Sequence, residues 1–79
     1  MSKFVVSVER EADFNEVLEN IKKVSADIVV LNASSNETSK SYSGLMTIEC
    51  SDELAEKVKI IQGVKRFELE VYFVKAKSS

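Results

Sequence analysis

The sequence predicts an α+β domain of the ferredoxin-like βαββαβ type, a four-stranded antiparallel sheet with two helices packed on one face. Three observations predict it. A strand–helix–strand order occurs twice: Phe4 to Glu9, Phe14 to Val24 and Ile28 to Leu31, then Leu45 to Cys50, Leu54 to Ile61 and Phe67 to Phe73. The apolar period switches between two in the strand segments and about 3.6 in the helical ones. The last segment alternates a fully apolar parity with a mostly charged one, as expected of a sheet covered on one side only. With 79 residues there is length for one domain, 1–79.

The first strand is expected from about Lys3 to Glu9. Phe4, Val6 and Val8 share one face and should meet the helices, while Val5, Ser7 and Glu9 share the other. Asp13 suits an N-cap because its carboxylate can accept the orphan N–H groups of a first helical turn, and Glu16 follows at capping-box spacing. Phe14, Val17, Leu18, Ile21 and Val24 then form one apolar stripe. Lys22 and Lys23 fall in the last turn, where the helix dipole favours cations.

Ile28 to Leu31 reads as the second strand, with apolar residues on both parities. The polar run Asn32 to Tyr42 reads as a long exposed connection. Its Asn36-Glu37-Thr38 has glycosylation-acceptor spacing, a triplet that matters only in a secreted chain. Strand three is expected over Ser43 to Cys50, with Met46, Ile48 and Cys50 inward and Leu45, Thr47 and Glu49 outward. Gly44 near its start suggests a bulge or a close backbone approach. Ser51 should cap the second helix, with Asp52 and Glu53 in its positive first turn and Leu54, Ala55, Val58 and Ile61 as its stripe. Gly63 should end that helix with a left-handed residue. Strand four, expected to be the longest, sets Phe67, Leu69, Val71 and Phe73 against Arg66, Glu68, Glu70 and Tyr72. Lys75 to Ser79 reads as a polar tail.

Composition narrows the function classes. Eleven basic and thirteen acidic residues give a net charge of −2, without the basic excess a nucleic-acid binder needs to displace counterions from phosphates. The outward positions Val5, Ser7, Leu45 and Thr47 cannot stack bases, so RNA binding on the sheet is not expected. There is no histidine, which removes the usual general base and zinc ligand, and no cofactor is expected. The carboxylates single out no acid–base pair, so the chain reads as a non-enzyme. Cys50 is the one cysteine; it reads as a buried, inert thiol, although the helix start at Ser51 and Asp52 could activate it. No internal disulfide can form, and neither a signal peptide nor a membrane-spanning run is visible. A cytoplasmic chain is therefore expected.

In the strand order 4-1-3-2, the face left bare would carry Glu68, Glu70 and Tyr72 beside Val5, Ser7 and Glu9, then Leu45, Thr47 and Glu49. This surface, acidic with apolar patches, suits either plain solvation or a protein interface, possible homodimerisation through faces or edges included.

Tyr42-Ser43-Gly44-Leu45-Met46-Thr47-Ile48, Ser51-Asp52-Glu53-Leu54, Gly63-Val64 and Phe67-Glu68-Leu69-Glu70, together with the opening Lys3-Phe4-Val5-Val6, resemble the inhibitor I9 family. That family comprises the propeptides of subtilisin-like proteases and related free-standing inhibitors. The resemblance implies that Glu68 and Glu70 cap two surface helices of a protease. It also implies that the stretch from Tyr72 through Phe73 and Val74 to Ser79 lies in the substrate cleft. The chain departs from the family where Gln62 stands in place of the usual proline before Gly63-Val64. Val17-Leu18 through Ile28-Val29 also resembles an ACT-like regulatory module, which implies a dimer; the turn Arg10-Glu11-Ala12-Asp13 lacks the glycine of that family's ligand-binding turn.

Overall fold

A computed structural model describes residues 2–70. The elements follow the order β1 (Ser2–Glu9), α1 (Phe14–Val24), β2 (Val29–Ser35), β3 (Tyr42–Cys50), α2 (Asp52–Val58) and β4 (Val64–Leu69). The four strands form one antiparallel sheet in the order β2-β3-β1-β4. This is the ferredoxin-like arrangement the two repeated units predict, with each helix connecting strands that flank a third. Expected continuation of β4 through Val71 to Phe73, and the tail beyond, lie outside the described residues.

The sidedness comes from alternation. Phe4, Val6 and Val8 of β1 are buried with Met46, Ile48 and Cys50 of β3, and Phe14, Val17, Ile21, Ala55 and Val58 of the two helices close over them. Both helices therefore cover the same side. The local start signals work as their chemistry requires. Asp13 Oδ1 accepts from the N–H groups of Asn15 and Glu16 at 3.0 and 3.3 Å, and Ser51 Oγ accepts from Leu54 N–H at 3.3 Å.

Several boundaries move. The second strand begins at Val29 and runs to Ser35, so four residues expected in the connection are strand. Ladder bonds to β3 outweigh the weak β-preference of Asn32, Ala33, Ser34 and Ser35. The remaining turn is organised by Asn36, whose Oδ1 accepts from Thr38 N–H, Thr38 Oγ1–H and Ser39 N–H at 2.8–3.1 Å; the triplet's residue types thus serve a local turn. Helix α2 ends at Val58 rather than Ile61. Ile61 N–H bonds to the Val58 carbonyl in the turn that follows, and Gly63 takes its positive φ of 99° at the entry to β4, not at the helix end. Strand β4 starts at Val64, three residues earlier than the alternation implied, because residue pairing with β1 extends through a register shift at Ser7 and Val8. Of the described parts β3 is the longest strand, and the described part of β4 is short.

The apolar side of β4 is less covered than its alternation suggested. Phe67 stacks on Phe4 with ring centroids 4.9 Å apart, yet Leu69 remains 56% exposed. Seven residues of α2 span only about 10 Å, too little to roof the outer strand along its length. No helix among the described residues is long and apolar enough to cross a membrane.

Candidate functional site

Among the described residues, no element covers the face of the sheet turned away from the helices. Three rows of side chains cross it from β2 to β4. The first holds Val29, Glu49 and Lys3, with Glu70 joined to the end of the row by its N–H to the Lys3 carbonyl at 2.8 Å. The second holds Asn32, Thr47, Val5 and Glu68, and the third Ser34, Leu45, Ser7 and Arg66. Alternation along β1 and β3 creates the face: Val5, Ser7, Leu45, Thr47 and Glu49 each sit between two buried neighbours in the chain.

Val5, Leu45, Glu68 and Glu70, singled out from sequence, thus share one surface. Val5 is half-buried between Thr47 and Glu68, and Leu45 is 37% exposed between Ser34 and Ser7. Tyr72, Phe73 and Val74 lie outside the described residues. The surface is less acidic than the sequence reading had it. Lys3 stands in the row with Glu49, and Arg66 reaches to 3.9 Å from the Glu68 carboxylate, so cations interrupt the acids Glu49, Glu68 and Glu70, while Glu9 lies beyond the register shift and lines a depression with Glu11 and Gly63. Both cations were legible in the alternation of their strands. Lys65 and Tyr42 were not, because their placement depends on register shifts.

Those shifts flank one end of β1. On the β4 side Ser7 pairs with Arg66 but Val8 pairs with Val64, which makes Lys65 an extra residue. On the β3 side Val8 pairs with Gly44 but Glu9 pairs with Tyr42, which makes Ser43 extra. A bulge places two residues opposite one and re-aims their side chains. At this end Ser7, Ser41, Tyr42, Lys65 and Arg66 line an open cavity of about 270 Å³.

The thiol offers no reactive centre. Cys50 is fully buried, and burial first, then the negative charge of Asp52, pushes its pKa up. The start of α2 therefore does not activate it. A thiol kept protonated in the fold ionises freely in the unfolded chain above about pH 8.5. Its contribution is accordingly present below that pH and lost as pH rises further. Urea titrations should show stability falling on the alkaline side, and Cys50→Ala should flatten that slope; an unchanged slope would contradict the assignment. Among the described residues no group of three or more His, Cys, Asp or Glu is placed to hold a metal ion.

No family model matches the chain, and no curated protein matches it.

Proposed function

We propose that the chain is a protein-binding module that works through the open face of its sheet, with a subtilisin-like serine protease as the partner. The observation that carries this reading is a helix-free face on which exposed Leu45 and half-buried Val5 sit among charged residues, with Glu68 and Glu70 at its β4 margin. Apolar centres rimmed by charge suit a protein contact. Carboxylates at the rim can meet the positive N-termini of a partner's helices. Tyr72, Phe73 and Val74 belong to the same proposal through the resemblance to the protease propeptides alone. The lone thiol suits a reducing compartment, and we place the chain in the cytoplasm on that ground.

The test is inhibition of purified subtilisin by the purified chain. Inhibition is expected, and Glu68→Ala with Glu70→Ala should weaken it about tenfold, since each charge at a helix end contributes roughly 0.7 kcal/mol. The melting temperature should scarcely move, because the Glu68 side chain is mostly exposed and its ion pair with Arg66 is long. Absence of inhibition at high micromolar concentration, with the chain recovered uncleaved, would overturn the protease as partner.

A second reading, an ACT-like dimerisation module, is favoured by the contrast between the two sheet edges. Described β4 carries Lys65, Arg66 and Glu68, charges that discourage strand addition. Strand β2 carries none over seven residues, and Val29 and Leu31 are 46% and 47% exposed. Sedimentation over a concentration series should then reveal a dimer that Leu31→Lys abolishes. A chain that stays monomeric throughout would remove this reading.

A further inference from the structure

We propose that the cavity between the two bulges is a binding site for a phosphate monoester. Three observations converge on it. First, the two register shifts occur at the same end of β1, one on each side, so the pairing is broken before Val8 on the β4 side and after Val8 on the β3 side. Second, the extra residue on β4 brings Lys65 and Arg66, neighbours in sequence, to one cavity, whereas regular alternation would send them to opposite faces. Third, the rest of the lining is supplied by hydroxyl-bearing residues: Ser7 from β1, Tyr42 from the start of β3 and Ser41 from the turn just before it.

The wall is held by its own bonds. Ser39 Oγ accepts from the N–H groups of Ser41 and Tyr42 at 3.2 and 3.3 Å, fixing the approach to β3. Lys65 Nζ donates to the Ser41 carbonyl and so ties β4 to that turn across the end of the sheet. An ammonium has three donors, so this bond leaves two for a ligand. The guanidinium of Arg66 lies 3.9 Å from the Glu68 carboxylate, a long ion pair. Glu9, the nearest acid on β1, lines a separate depression with Glu11, Ala12, Gln62 and Gly63.

This donor set selects the ligand. Residues bearing a guanidinium and an ammonium line the cavity from β4, and residues bearing hydroxyls line it from β1, from β3 and from the turn before β3. A planar carboxylate presents only two oxygens and would satisfy one side. A phosphoryl group presents three strong acceptor oxygens and most of two negative charges, enough to engage both sides at once. The site lies at the Arg66 end of the open face but does not depend on the protease reading, and either can fail without the other.

Amide chemical shifts followed during titration test it. The probes are inorganic phosphate and O-phosphoserine at constant ionic strength, with sodium chloride as the control. Millimolar binding is expected for so open a cavity, with shifts concentrated at Ser7, Ser41, Tyr42, Lys65 and Arg66. Arg66→Gln should weaken binding about tenfold, in line with the loss of a charge-assisted pair. Glu68→Gln should tighten it several-fold by freeing the guanidinium, a gain that mere structural support by Glu68 would not produce. Tighter binding of O-phosphoserine than of inorganic phosphate would support a phosphoryl group carried on a larger molecule; equal binding would identify the free anion and overturn the monoester. Shifts no larger than those with chloride, or shifts unchanged in the Lys65→Gln, Arg66→Gln double variant, would overturn the proposal.

Discussion

Gly44→Ala is expected to lower the melting temperature by roughly 10–20 °C, the consequence of about 3 kcal/mol lost by overpacking in a domain of this size. Gly44 pairs with Val8 on one side and Ser35 on the other, in the middle of the sheet's width. A methyl group there would stand 2.4 and 2.6 Å from two ring carbons of Phe14 and 2.8 Å from the Ser34 carbonyl oxygen. Neither obstacle yields cheaply. The carbonyl belongs to the ladder of β2, and Phe14 opens α1 directly after its N-cap, with its ring in the core. Against this, alanine would restrict the unfolded chain and so contribute at most about 1 kcal/mol of stabilisation. The clash dominates. A double-mutant cycle with Phe14→Leu checks the cause. If the ring is what the methyl group meets, the two losses combine to less than their sum; additive losses would place the strain elsewhere.

The close approach at Gly44 also marks how far the sequence could be read. A glycine beside a strand start allowed either a bulge or a close contact, and both occur: Ser43 is the extra residue and Phe14 is the contact. The order of elements, both N-caps and the inward sets of β1 and β3 were legible because each rests on a short-range rule. Alternation assigns faces, and a carboxylate or hydroxyl before an apolar stripe satisfies free N–H groups. The extent of β2 was not legible, because Asn32 to Ser35 are strand only by virtue of the partner they pair with. The same holds for the cavity at Lys65 and Arg66. Strict alternation sends consecutive residues to opposite faces, and only the pairing with β1 reveals that a residue has been added. Val5, Leu45, Glu68 and Glu70 were brought together because they depend on parity and strand order alone. Their rim of acids was overestimated because Lys3 and Arg66 share that parity.

Ile48→Ala should cost about 3–4 kcal/mol, while Leu45→Ala, three residues earlier on the same strand, should cost less than about 1 kcal/mol. Ile48 has no exposed surface; it pairs with Phe4 and Val30 and belongs to the cluster under both helices. Removing three carbons there loses their burial and leaves a cavity that neighbours in two adjoining strands cannot collapse to fill. A chain of this length has roughly 4–12 kcal/mol of stability in total, so the first variant approaches the limit of folding and the second does not. Urea denaturation of the pair measures the difference directly, and Ile48→Leu, which conserves volume, should recover most of the loss. The comparison bears on function because every proposal for the open face requires β3 to present Ile48 to the core and Leu45 to the other side. Equal losses at the two positions would mean that something covers Leu45 as tightly as the helices cover Ile48. With Leu45 lost at little cost to folding, a fall in partner binding by Leu45→Ala can be read as contact. A fall caused by Ile48→Ala should merely track the fraction of unfolded chain.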